Sequence, residues 1–383
     1  MRILADENIP YVREAFSSLG DVTTVPGREI GAELVRDAEL LFVRSITKVN
    51  AALLEGSFVR FVATATIGED HIDKDYLAAE GIAFASAPGS NANSVGQYVT
   101  AALLELAARF DLDLTDMALG IVGVGNVGGR VLRKATALGM TCVLNDPPLK
   151  RQSGDDTYRS IDEILACDIV TLHVPLTASG PDATHHLADD AFIRRMKPGA
   201  LLINTSRGAV ADGTALRRAL DDAHLRACVL DVWEGEPDVD VGLIERVFIG
   251  TPHIAGYSFD GKVNGTRMIY EAACRFLNVE PAWDPAPLLP PPECPNLEVD
   301  GTAPNAVRAA VRAVYDIMQD DAVMRRLSSV APVERPRLFD RLRKEYPRRR
   351  EFFNTQVAVV PANADVQDQL EGVGFRVERH PTP

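Results

Sequence analysis

The sequence predicts an α/β protein of two tandem doubly wound units with a cleft between them, followed by a small α+β domain. Three features carry that prediction. Short apolar runs alternate with amphipathic stretches over most of the 383 residues. A glycine-rich turn separates one apolar run from a helical stretch near residue 125. A proline-dense segment, residues 281–295, then divides this alternation from a mixed C-terminal part. Strand–helix alternation is the pattern of a parallel sheet, because each crossover must return over one face of it.

In the first unit, residues 3–5, 40–43, 59–63 and 82–85 read as strands separated by helical segments. Val95, Val99, Leu103, Leu106 and Phe110 recur at helical spacing, which predicts a long helix over 94–110. A second series of strands follows at 119–123, 142–145, 169–173, 201–205, 228–232 and 247–250. These runs are apolar on both faces, as parallel strands covered by helices must be. A helical stretch over 258–278 is expected to cross back to the first unit. The expected organisation is residues 1–93 with 257–279, then 94–256, a Pro-rich linker over 280–300, and a third domain over 301–383. That last part offers a helix over 306–324, a basic stretch over 341–350 and a strand over 356–360.

The net charge of −14 and pI near 5.0 argue against nonspecific binding to nucleic acid or to an anionic membrane. They leave room for an anionic substrate, since a local arginine cluster can oppose the global sign. The opening residues reach Asp6 and Glu7 before a signal-peptide core forms, and no apolar run has membrane-spanning length. Cys142, Cys167, Cys228, Cys274 and Cys294 are scattered, odd in number and without metal spacing. They read as small apolar residues of a reducing compartment, with neither a disulfide framework nor a metal site. A soluble, cytoplasmic protein is expected.

Gly123-Val124-Gly125-Asn126-Val127-Gly128 fits G-x-G-x-x-G between the strand that precedes it and Val127, Val131, Ala135 and Leu138 at helical spacing. This context makes it a Rossmann-like dinucleotide site. Gly123 permits the tight turn, Gly125 lets a pyrophosphate approach the backbone, and Gly128 allows close helix–strand packing. The helix start at Asn126 and Val127 offers unpaired N–H groups to the phosphates. Asp146 ends the next strand, within the ~20-residue spacing expected of a ribose-binding acid. A carboxylate there favours NAD over its 2′-phosphorylated form.

Three polar residues stand just past successive late strands, where open α/β sheets bind ligands. They are Arg207, Glu236 and His253. Singly, each has an ordinary explanation as a surface charge, a turn acid or a satisfied imidazole. Together they form a kit for oxidising a hydroxyl beside a carboxylate. The arginine grips the carboxylate, the histidine takes the hydroxyl proton, and the acid orients the imidazole.

Gly123–Gly128, His173-Val174-Pro175-Leu176, Asn204-Thr205-Ser206-Arg207-Gly208, Asp231-Val232 with Glu236-Pro237, and Thr251-Pro252-His253-Ile254-Ala255-Gly256 resemble the D-2-hydroxyacid dehydrogenases. The resemblance covers roughly residues 1–278. It implies that Arg207 binds substrate, that Glu236 supports the histidine and that His253 is the acid/base. It also implies cofactor contacts at Asp146, Val174, Ser206, Asp231 and Gly256, an NAD-binding unit over 94–256 and a substrate-binding lid over 1–93 with 257–279. Val174 stands where the family has a hydroxyl side chain.

A narrower resemblance, to a branch acting on a phosphorylated hydroxyacid, rests on three runs, residues 3–10, 43–50 and 88–95, and on Gly256-Tyr257-Ser258. It implies substrate contacts at Ser45, Thr66 and Tyr257, and a homodimer formed through the third domain. Ile67 and Glu69 depart from that branch's pattern in the loop after Thr66. Arg44 and Lys48 flank Ser45 and are candidates for the substrate phosphate. The basic run from Arg341 through Arg343, Lys344 and Arg348 to Arg350 reads as a solvated face. One of Arg348, Arg349 and Arg350 is a candidate to reach a partner subunit's site. Two rival functions stay open: another D-2-hydroxyacid dehydrogenase, for instance on 3-phosphoglycerate, and an NAD-sensing, corepressor-like binding protein.

Overall fold

The structure is a computed structural model that describes residues 1–379. The described chain divides into two compact units, residues 1–92 with 258–291, and residues 93–257 with 292–379.

The first unit is built on a five-stranded parallel sheet. Its strands are β1 (Arg2–Asp6), β2 (Asp21–Val25), β3 (Leu40–Val43), β4 (Phe61–Thr64) and β5 (Ala83–Ala85), in the order β2-β1-β3-β4-β5. β3 and β4 are buried along their whole length. Such strands must be apolar throughout, and Leu40-Leu41-Phe42-Val43 is. β2 was not expected. Its sequence Asp-Val-Thr-Thr-Val is an edge strand, only partly buried, and lacks an apolar run. The helix Phe259–Leu277 covers one face, burying Ile269, Tyr270, Ala273 and Cys274 with Phe16 and Phe42. Ser258 caps it by accepting the Gly261 N–H.

The second unit carries a six-stranded parallel sheet of β6 (Ala118–Val122), β7 (Thr141–Asn145), β8 (Ile169–Leu172), β9 (Ala200–Asn204), β10 (Leu225–Leu230) and β11 (Ile249–Gly250). The order is β11-β10-β9-β8-β6-β7, with a further bridge from Leu144 to Tyr158 beyond β7. Chain direction across the sheet therefore reverses beside β6, and the carboxyl ends of β6 and β8 open on the site where such folds bind ligands. The helix Ala92–Phe110 contributes Tyr98, Val99, Leu103 and Leu106 to the core of this unit.

A third sheet, β12 (Asn296–Asp300), β13 (Gln356–Val360) and β14 (Arg376–Val377), is parallel in the order β12-β13-β14. β12 lies inside the stretch expected to be linker to residue 300. Its Asn-Leu-Glu-Val-Asp alternation buries Val299 after the prolines end. The helix expected over 306–324 is two helices, Ala306–Val314 and Ile317–Met324, because Asp316 turns the chain and caps the second by accepting the Met318 N–H. This module shares one core with the six-stranded sheet: Val299, Val307, Val357, Leu370 and Phe375 join the cluster that holds Leu119, Ile121 and Val229. Its helix Ala364–Val373 lies so close to the helix Asn126–Ala137 that a Cβ on Gly372 would stand 2.2 Å from that of Ala137. The buried Lys134 ammonium joins the same two helices, donating to the Val373 carbonyl at 2.6 Å. Among the described residues no helix is long and apolar enough to cross a membrane.

Candidate active site

The glycine turn follows β6. Gly123 has φ 85°, the left-handed region, and a Cβ there would stand 2.7 Å from the His173 carbonyl oxygen. A Cβ on Gly128 would meet the Gly123 carbonyl at 2.0 Å, so the helix Asn126–Ala137 packs on the turn only with glycine at that position. A Cβ on Gly125 would meet nothing within 4 Å. That position faces open space, and no side chain caps the helix end that starts there. Exposed N–H groups at an uncapped twelve-residue helix suit a pyrophosphate. Asp146 stands opposite. Its carboxylate accepts the Val124 N–H at 2.9 Å and the Leu149 N–H at 3.0 Å, which leaves lone pairs for a ribose hydroxyl. These residues fit a dinucleotide.

Val174 follows β8 and lies against the Gly123 turn. His173 sits between two hydroxyls, with Nε2 2.9 Å from Thr171 Oγ1 and Nδ1 3.1 Å from Thr205 Oγ1. Burial pushes its pKa down to about 3, so this imidazole stays neutral between the two hydroxyls.

Beyond β9, the Ser206 hydroxyl donates to Asn204 at 2.7 Å, and Asn204 donates to the Arg207 carbonyl at 3.0 Å. Gly208 lies against Trp233 so tightly that a Cβ would come within 2.0 Å of its backbone. This close approach sets the Arg207 loop against the Trp233–Glu236 loop. Glu236 accepts the Trp233 N–H at 2.7 Å and meets His253 Nδ1 at 2.8 Å. Burial tends to raise the Glu236 pKa, but His253, the Trp233 N–H and the nearby Arg343 outweigh it, so the carboxyl stays below its ordinary range. An ionised Glu236 can only accept, which puts the proton on His253 Nδ1 and leaves Nε2 free for substrate.

His253 itself has φ 58°, a strained value for a side chain of this size. The surrounding hydrogen bonds explain how it persists. Asp231, buried at 1% exposure, accepts the Thr251 hydroxyl at 2.7 Å, the Ile254 N–H at 2.7 Å and the Ala255 N–H at 3.0 Å. Its carbonyl accepts the His253 N–H at 2.7 Å. Burial raises the Asp231 pKa, opposed by His253 and by these donors. Through these bonds Asp231 holds in place the loop that carries His253. Gly256 and Tyr257 close the same loop, with the Tyr257 N–H on the Ile254 carbonyl.

The third module continues this bracing, which sequence reasoning missed. Asp321 accepts the Gly250 N–H at 2.8 Å and pairs with Arg325 at 2.8 Å. Arg349 donates to the Ala255 carbonyl at 2.9 Å and to the Ser94 hydroxyl at 2.5 Å, its guanidinium 3.9 Å from the Tyr315 ring centre. Tyr346 meets Tyr257 edge-on at 6.0 Å. The expectation of a solvated basic face holds for the exposed Arg341, Lys344 and Arg348 and is corrected for the rest of the run. Arg349 and Arg350 are buried, and Arg349 and Arg343 serve the catalytic loop of their own chain. Only the basic run itself hinted at this.

In the first unit, Arg44 and Ser45 follow β3, and Thr66 follows β4. Because β3 and β4 are neighbours, the three residues share one end of that sheet. Arg44 is half-buried, while Ser45 and Lys48 are exposed. The Thr66 hydroxyl lies 2.7 Å from that of Thr64 and donates to the Gly68 carbonyl at 3.1 Å.

A glycine turn for a dinucleotide beside an arginine, an acid and a histidine defines a hydroxyacid dehydrogenase. The family model described as D-isomer specific 2-hydroxyacid dehydrogenase, NAD binding domain, matches residues 95–255. Among solved structures, the D-lactate dehydrogenase from Aquifex aeolicus complexed with NAD and lactic acid is 26% identical with TM-score 0.56, covering 73% of this chain and 96% of its own. A glyoxylate reductase from Paecilomyes thermophila is 27% identical with TM-score 0.59, covering 71% and 93%. The chain belongs to the D-isomer specific 2-hydroxyacid dehydrogenase family, and it is an NAD-dependent oxidoreductase. Over its whole length it is similar to the erythronate-4-phosphate dehydrogenases. Those of Salinibacter ruber and Escherichia coli O17:K52:H18 are 48% and 45% identical, covering 99% and 100% of both chains. Residues 288–374 match a domain of unknown function, DUF3410.

Proposed function

We propose that this chain oxidises 4-phospho-D-erythronate at C2 to 3-hydroxy-2-oxo-4-phosphobutanoate, a step toward pyridoxal 5′-phosphate (vitamin B6). The carrying observation is the extent of the likeness. Erythronate-4-phosphate dehydrogenases match it from end to end, third module included, whereas the lactate and glyoxylate enzymes cover 73% and 71%.

When bound, NAD supplies the hydride acceptor. Gly123, Gly125, Asn126, Val127 and Gly128 would hold its pyrophosphate, and Asp146 its ribose. Val174, Ser206 and Gly256 border that site. Arg207 fixes the substrate carboxylate through its planar pair of donors. His253 Nε2 takes the C2 hydroxyl proton as the C2 hydrogen departs with its electron pair. Glu236 steadies the imidazolium that results. Ser45, Thr66 and Tyr257 are substrate contacts in this reading, with Arg44 and Lys48 as further cations.

The chain acts as a cytoplasmic homodimer formed through the third module. Supporting this are its five free cysteines and the exposed Val333, Phe353 and Val360 of that module. Light scattering of the purified protein tests the dimer.

The activity test follows reduced nicotinamide by absorbance with 4-phospho-D-erythronate, D-3-phosphoglycerate and D-glycerate. Preference for the first is expected. His253→Ala should lower kcat on it by about 10²–10⁴-fold. Preference for another acid sinks the substrate, and near-normal turnover by the variant sinks the base.

A further inference from the structure

The helix Arg335–Lys344 delivers one cation to the catalytic loop. The Arg343 guanidinium stands 5.8 Å from the Tyr257 ring centre and 6.0 Å from that of Phe339. Phe339 and Arg343 are four residues apart on one helix face, so the buried ring fixes where the guanidinium points. Arg343 is hydrogen-bonded to the Tyr257 side chain and lies within electrostatic reach of Glu236, the partner of His253. It is half-buried, and its Nε is buried without a partner. Its flanking cations Arg341 and Lys344 are exposed.

This arrangement differs from an ordinary structural arginine. A guanidinium carries five donors, and here aromatic walls rather than a carboxylate hold it. Among the described residues, none of the ion pairs closes on Arg343. The remaining donors suit an anion that arrives with substrate. A hydroxyacid bearing a phosphate has a negative group at each end, with the reacting carbon near the carboxylate. Arg207 serves one end.

We propose that Arg343, held by Phe339 and Tyr257, is the phosphate anchor of the active site and sets its preference for phosphorylated hydroxyacids. This rests on the substrate reading above. It gives the third module a direct part in choosing the substrate.

The test compares Arg343→Ala and Arg343→Lys with the unaltered enzyme, using 4-phospho-D-erythronate and D-erythronate. Arg343→Ala should lower kcat/KM for the phosphorylated acid by about 100-fold or more, since a charge-assisted contact is lost. For D-erythronate, which brings no phosphate, the loss should be smaller by about 10-fold or more, since only the support of Tyr257 and Glu236 is weakened. Arg343→Lys should recover part of the loss. Inorganic phosphate should inhibit the unaltered enzyme competitively and the Ala variant at least 10-fold more weakly. NAD binding, read by fluorescence, should be the same in all three and confirms folding. Equal losses on both acids would make Arg343 a positioning residue for Tyr257 and Glu236 and overturn the proposal. So would an unchanged enzyme, or a phosphate-specific loss found in Arg44→Ala instead. If the unaltered enzyme ignores phosphoerythronate, the substrate reading fails by itself. Calorimetric titration with inorganic phosphate still decides Arg343, since binding equal in the Ala variant rejects it.

Discussion

His253 and Glu236 act as one unit at the residue scale, and their pairing sets the pH behaviour. A carboxyl held below its ordinary range stabilises the fold above that range, and the contribution disappears as pH falls through the lowered value. Glu236→Gln should therefore show a smaller loss of thermal stability between neutral and acid pH. The same variant should slow hydroxyacid oxidation by about 10–100-fold. Unchanged turnover in a stopped-flow assay would show that Glu236 does not act through His253. These residues were legible in the sequence because each stands directly after an apolar run. Arg343 was not, because its importance lies in touching Tyr257, which no local pattern reports.

At the scale of elements, the strands that could be read are those buried on both faces. β3, β4, β8 and β9 have no polar alternation to confuse them. β2 and β12 are partly exposed edges, and three of the five residues in each are polar for that reason. β11 is only two residues long, yet it launches the catalytic loop. Its last N–H depends on Asp321 of the helix Ile317–Met324. Asp321→Ala leaves that amide unpaired and breaks the pairing of a buried carboxylate with a half-buried arginine. Arg325 still donates to the carbonyls of Ile244, Val247 and Phe248, which limits the damage. The expected cost is about 3 kcal/mol, with a fall in kcat larger than any change in NAD affinity. Chemical denaturation and NAD titration together check this. A stable variant of full activity would show that the strand end needs no support.

On the scale of the whole molecule, the tandem α/β plan was readable from strand–helix alternation. The attachment of the third module was not. Amphipathic helices announce a buried face but not the surface that buries it. Here that surface is the six-stranded sheet's own core. Val307, Val311, Phe352, Val357, Leu370 and Phe375 lie within it, each worth roughly 1.5–3 kcal/mol of burial. Removing residues 292–379 should therefore yield an aggregating chain that fails to bind NAD, not a smaller working enzyme. Size exclusion and NAD fluorescence distinguish the two, and a monodisperse, NAD-binding product would reject the shared core. The Arg349 contact with Ala255 carries a consequence for synthesis. Arg349 lies 94 residues further along the chain than the carbonyl it secures. At ~5–20 residues per second a ribosome needs on the order of 5–20 s to cover that interval. For that time the loop that carries the histidine has the support of Asp231 and Glu236 but not of Arg349, so its full bracing comes late in translation, well after the nucleotide turn has been made.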